Sequence, residues 1–145
     1  MSASVLRRAW TLTSPAAPGS VVVGTVSGLG RFFAVTLTWT ALGATGGTTS
    51  VFAQYLDGAG NWVDLARFGD VAAGAGATTY SISVNKRPSA TASVTVGTGT
   101  TPVIAANTVA SQDFGDTIRI IAVANASTTA GALQTIGVLA SRGAG

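Results

Sequence analysis

Apolar and polar residues alternate with a period of two along most of this chain. In "RFFAVTLTWTAL", Phe33, Val35, Leu37 and Trp39 share one side while Thr36, Thr38 and Thr40 share the other. That pattern predicts a half-buried strand. "TTSVFAQYLD" is apolar on both sides, with Val51, Ala53 and Tyr55 opposite Phe52, Gln54 and Leu56, as a central or interface strand requires. "NWVDLARF" continues with Val63 and Leu65 against Trp62, Ala66 and Phe68. "TYSISVN" places Tyr80, Ile82 and Val84 together, and "ASVTV" reads as a short strand. In "DTIRIIAVAN", Ile118, Ile120 and Ala122 face away from Arg119, Ile121 and Val123. "SVLRRAWTLT" and "SVVVGTV" supply two early strands, and "LQTIGVLAS" a last one.

Gly-rich connectors ("LGATGGTTS", "GDVAAGAGATT", "VGTGTTP") separate these pieces, and no helical period intervenes. Short strands at near-regular spacing predict an all-β chain, an antiparallel β-sandwich or jelly-roll-like single domain. Residues 103–114, "VIAANTVASQDF", are the one stretch suited to a short helix or an irregular crossover. Residues 1–19 carry Pro15 and Pro18 and read as an extended N-terminal arm or a first strand, because proline cannot donate to a central ladder. Residues 20–145 form the sandwich domain. If the N-terminus is an arm, Arg7 and Arg8 contact a neighbour, and removing residues 2–18 weakens that contact while leaving the fold intact.

Composition sharpens this picture. The 145 residues suffice for one core and leave no room for two full-sized ones. Charged residues are only 9% of the chain, against roughly 25% in an average domain. With a mean hydropathy of +0.48, a surface this poor in charge predicts burial against copies of itself or a partner. The pI of 10.2 overstates the basicity, since the net charge is only +3. The basic residues never cluster beyond adjacent pairs such as Arg7-Arg8 and Lys86-Arg87, so no nucleic-acid footprint is expected. No apolar run reaches the roughly 18 residues that span a bilayer. No signal-peptide apolar stretch follows Arg7-Arg8, and folding in the cytoplasm is expected.

Catalytic chemistry lacks its parts. The chain has no His, no Cys and no Glu, which removes the usual general base and the thiol nucleophile. A Ser-Lys pair would need Lys86 with Ser81, Ser83 or Ser89. Paired carboxylates for glycoside hydrolysis would need Asp57, Asp64 or Asp70 across a cleft. In "YLDGAGNWVDLARF", Asp57, Asn61 and Asp64 offer oxygen ligands to a hard cation. The same stretch also reads as a hairpin, with Asp57-Gly58 opening a tight turn at φ > 0, and its acids then belong to turn and surface. "GLGRFF", "GAGATT" and "GTGTTP" lack phosphate-cradle spacing. No catalytic residue, cofactor or metal is expected. The aromatics Trp10, Trp39, Trp62, Tyr55 and Tyr80 suit the core and subunit contacts better than a sugar-binding face.

The hairpin "QYLDGAGNWVDLARF", followed by "FGDTIRI" and a final strand, resembles small β-sandwich structural proteins of tailed bacteriophages. The resemblance spans roughly Phe32 to Leu139 and rests on turn and core residues. Within that class the chain is most like head decoration (cement) proteins, which bind the outside of the capsid lattice, often as trimers. The resemblance implies a non-enzymatic virion protein on the capsid exterior, assembled in the host cytoplasm. Its partners would be the major capsid protein and copies of itself, with no nucleic acid and no membrane. Arg7, Arg8, Trp10 and Trp62 are the interface candidates. A tail-tube or minor tail protein and a carbohydrate-binding module are the alternatives, the latter motivated by the aromatics and the Asp/Asn loop. Substitution of Trp62 is expected to cost stability or assembly rather than activity.

Overall fold

The computed structural model describes residues 5–13, 19–41, 48–71, 78–86, 96–100, 103–110, 113–125 and 133–141. Among these it contains β-strands and no helix. In chain order the strands are β1 (Val5–Thr13), β2 (Gly19–Val26), β3 (Ala34–Ala41), β4 (Thr48–Leu56), β5 (Trp62–Arg67), β6 (Thr78–Asn85), β7 (Thr108–Val109), β8 (Ile118–Asn125) and β9 (Leu133–Ser141).

Every pairing is antiparallel. The first half of the chain folds back on the second: β1 pairs with β9, β2 with β8, β3 with β6, and β4 with β5. Wrapping that long antiparallel ribbon gives one sheet of order β1-β9-β3-β6 and another of order β2-β8-β4-β5-β7. This is a jelly roll, with the two-residue β7 added on the free side of β5. The all-β sandwich expected from the alternation is the fold observed.

The inner faces of the two sheets meet in one apolar core. Val35, Leu37 and Trp39 of β3, with Ile136, Val138 and Ala140 of β9, oppose Val51 and Ala53 of β4 and Ile118, Ile120 and Ala122 of β8. Trp39 is fully buried, and its ring meets the Phe68 ring edge-on at 5.7 Å. The two-sided character of "TTSVFAQYLD" has a direct cause. β4 is central, flanked by β8 and β5, and its outward Phe52 packs with Ile121 and Val123 in a second buried cluster. The two faces of β8 divide as the alternation predicts.

Three local expectations are corrected. Phe33 is 46% exposed, and Phe32 is buried in its place. The ladder begins only at Ala34, after a turn in which Phe32 N donates to Leu29 O, so period-2 phasing does not extend back to Phe33. In β5 the register slips at Ala53/Gln54, where Ala53 pairs with Ala66 but Gln54 pairs with Asp64. This bulge moves Ala66 and Phe68 into the core beside Leu65. Finally, residues 103–110 form no helix and contain only β7. The "ASVTV" strand falls almost wholly outside the described residues.

Residues 5–13 are strand β1, paired with β9 along its whole length. Leu6 and Trp10 pack against the core. Removing residues 2–18 would therefore strip an edge strand and uncover the inner face, so the segment is not dispensable to the fold.

Candidate functional site

The acidic hairpin resolves into two unlike halves. Asp57 builds the turn: its Oδ1 accepts from Ala59 N at 2.9 Å and Asn61 N at 2.8 Å. Asp57 N donates to Asn61 O and Gly60 N to Asp57 O. The positive φ falls at Gly60 (88°), not at the Asp57-Gly58 pair. The Asn61 N–H bond, aided by that of Ala59 and opposed by slight desolvation, holds the Asp57 carboxyl below its ordinary value. Asp57 is thus a turn residue, as the sequence suggests.

Asp64 is not a surface residue. It is completely buried on the outward face of the five-stranded sheet, where the bulge places it opposite Gln54. Its Oδ1 accepts from Gln54 Nε2 at 2.9 Å. Its Oδ2 accepts from three backbone N–H groups, Gly97 at 2.9 Å, Val103 at 3.0 Å and Ile104 at 3.4 Å. Asp64 N donates in turn to Gly97 O at 3.0 Å. Gln54 Nε2 also donates to Gly99 O at 2.7 Å, and Arg67 Nη1 to Ile104 O at 2.9 Å. Residues 96–100 and 103–104 are in this way tied across the sheet as a strap. A buried carboxylate is tolerated because donors fill its lone pairs. Gly97 permits the close approach, since a Cβ there would stand 2.6 Å from Val103 Cγ2 and 3.0 Å from Asp64 Oδ2.

The network continues to a cation. Arg119 of β8 pairs across the sheet with Gln54, and its Nε donates to Gln54 Oε1 at 2.9 Å. The amide orientation is fixed by its neighbours: Arg119 Nε can only donate, while Gly99 O and Asp64 Oδ1 can only accept. Gln54 therefore links a buried anion to a half-buried cation. The guanidinium carbon of Arg119 lies 4.6 Å from the Trp62 ring centroid, a cation–π contact. Burial lowers the pKa of Arg119, which still leaves it charged at neutral pH.

Of the sequence-derived interface candidates, Trp62 thus belongs to this cluster. Trp10 is half-buried at the seam of β1 and β2, packed on the core; a Cβ at Gly24 would collide with its ring. Arg7 and Arg8 are exposed on β1, where Arg8 Nη1 donates to Arg7 O. With Ala9, Thr38, Gly137, Val138 and Leu139 they line an open hollow of about 530 Å³. The structure does not bring that hollow together with Trp62: β1 and β5 belong to different sheets. Gln54 and Arg119 are the residues the sequence analysis passed over. Their signal is a polar side chain inside an otherwise apolar run, in "VFAQYL" and "IRIIAV".

The remaining acids and the lysine are also engaged in the fold. Asp70 accepts from Ser50 Oγ at 2.7 Å and pairs with Arg67 at 3.0 Å. Asp116 accepts from Gly30 N and Gly28 N, and these bonds, Gly30 first, hold its carboxyl below its ordinary value. Asp113 accepts from Gly115 N. Lys86 donates to Gly30 O and lies 4.5 Å from the Phe114 ring centroid. Ser83 bonds to Thr36, and Ser89 lies outside the described residues. Among the described residues no cluster of His, Cys, Asp or Glu is arranged to hold a metal ion.

No family model and no curated protein sequence matches the chain. Among solved structures, it is similar to one described as "Bacillus endospore appendages form a novel family of disulfide-linked pili", at 14% identity and a TM-score of 0.44, covering 95% of this chain and 88% of that one. It is also similar to a chain from the structure of infectious bursal disease virus, Gx strain, at 13% identity and a TM-score of 0.43. There the match covers 95% of this chain and 33% of the other.

Proposed function

We propose that this chain is a non-enzymatic structural subunit of a bacteriophage virion, a head decoration protein that binds the outer capsid surface. The observation that carries the reading is the fate of the acids: each of the five carboxylates accepts hydrogen bonds from the protein's own backbone or side chains. Among the described residues no pair of carboxylates is brought together across a cleft for general acid–base chemistry. The jelly roll is an architecture shared by capsid proteins, lectins and cupins. A chain without His lacks the usual imidazole metal ligand. Trp39 is in the core, Trp10 is half-buried against it and Trp62 stacks on Arg119, so all three tryptophans are engaged within the fold. Exposed apolar side chains include Val5 on the edge strand β1 and Val21 and Val22 on the edge strand β2. Such surface suits burial against a lattice and against copies of the subunit, as in a trimer.

The test is co-sedimentation of purified protein with undecorated phage heads, followed by electron cryomicroscopy of the pelleted particles. Added density at repeated positions on the outside of the shell is the expected result. Absence of binding to heads, with polymerisation into rings or tubes of fixed diameter, would move the protein to the tail. A glycan array that lights up and goes dark on Trp62→Ala would move it to carbohydrate recognition.

A further inference from the structure

We propose that Arg119 is a receptor for a carboxylate supplied by a different protein chain, an Asp or Glu side chain on the partner surface. The inference rests on the reading of this protein as a docking subunit and names the chemistry of one contact.

The guanidinium is held before any partner arrives. One face lies against Trp62 at 4.6 Å, and Nε is committed to Gln54 at 2.9 Å. Gln54 is itself immobilised by Asp64 and Gly99. What remains is the far edge, Nη1 and Nη2, which have no partner among the described residues. Two parallel N–H donors on a planar fork match the two oxygens of a carboxylate, and little side-chain entropy is left to lose on binding. The residue opposite Arg119 on the edge strand β2 is the small, exposed Thr25. A half-buried Arg stacked on Trp also has the composition of an interface hot spot.

The source of the carboxylate follows from the rest of the molecule. Asp57, Asp64, Asp70, Asp113 and Asp116 are all engaged within the fold, and the chain has no Glu. A second copy therefore carries only five acidic side chains, each already hydrogen-bonded within its own fold, against eight Lys and Arg. Charge complementarity points to a foreign, acidic surface.

The test uses the full chain, isotopically labelled, titrated with a short polyglutamate peptide at fixed ionic strength and followed through the Arg119 Nε–H and Trp62 indole N–H resonances. Expected are saturable shifts of both signals and affinity reduced about tenfold or more in Arg119→Lys, which keeps the charge but loses the fork. Arg31→Gln, at an exposed arginine beside Phe32, should bind as the parent does. The Lys variant can still donate to Gln54, and an unchanged Asp64 network in its amide spectrum shows that it is folded. Shifts that do not saturate, or that persist equally in Arg119→Lys, would overturn the proposal. Inorganic phosphate competing as strongly as the peptide would overturn it too, reassigning the site to a phosphoryl group. If Arg119→Lys decorates heads as well as the parent and the peptide fails, this inference falls while the decoration reading stands. If heads are not bound but the peptide is held through Arg119, the decoration reading falls alone.

Discussion

Asp64→Asn tests whether one buried carboxylate fastens the strap. The substitution preserves shape and replaces one oxygen with a donor. Placed with its oxygen toward Gly97, Val103 and Ile104, the new amide directs its N–H₂ at Gln54 Nε2, donor against donor. Gln54 cannot rotate to relieve the clash, because Arg119 Nε requires its oxygen and Gly99 O requires its nitrogen. In the opposite orientation the strap amides lose their acceptor. Either way at least one buried donor is left unmade, at about 1–3 kcal/mol, and charge-assisted bonds become neutral ones. A total of about 2–4 kcal/mol is expected, and about 3–5 for Asp64→Ala, which orphans several donors at once. Against a typical domain stability of about 5–15 kcal/mol, that is a large fraction. Urea unfolding at neutral pH measures the loss, and hydrogen exchange locates it: the amides of Gly97, Val103 and Ile104 should lose protection well before the β4 and β8 amides. A change under about 0.5 kcal/mol, with strap protection intact, would refute the assignment of Asp64 as the fastening.

Other expectations concern the rest of the frame. Gly24→Ala pushes a methyl group into the Trp10 ring and should cost about 1–3 kcal/mol; thermal melts should show the loss shrinking when Trp10→Leu is added, whereas additive losses would mean that the contact is unimportant. Truncation of residues 2–13 should abolish the cooperative melt seen by circular dichroism, since β9 loses a neighbour along its length. Asp57 and Asp116 have folded pKa values below their ordinary 3.8. On acidification the unfolded chain takes up protons first, so their stabilisation is complete above about pH 4 and is lost as pH falls through the folded values. Asp116→Asn should accordingly show a shallower fall of Tm with pH than the parent in acid, and identical slopes would refute the capping role.

Alternation fixed where most strands lie, because successive side chains on an extended backbone point to opposite faces whatever the strand pairs with. It also indicated a sandwich and a turn at Asp57, since turn chemistry is local as well. Tertiary structure decided what alternation cannot encode. Period 2 is blind to the partner strand, so nothing local distinguishes β1 as a free arm from β1 laid on β9. The bulge opposite Ala53/Gln54 exists only once β4 and β5 pair, and it turns Ala66 and Phe68 inward. Asp64 illustrates the limit best. Its backbone donors lie 33, 39 and 40 positions away along the chain, and the Gln54–Arg119 bond spans 65. A carboxylate near a turn looks solvated until a distant segment closes over it. Sequence placed the acid on a strand face, and the returning strap determined that this face is buried.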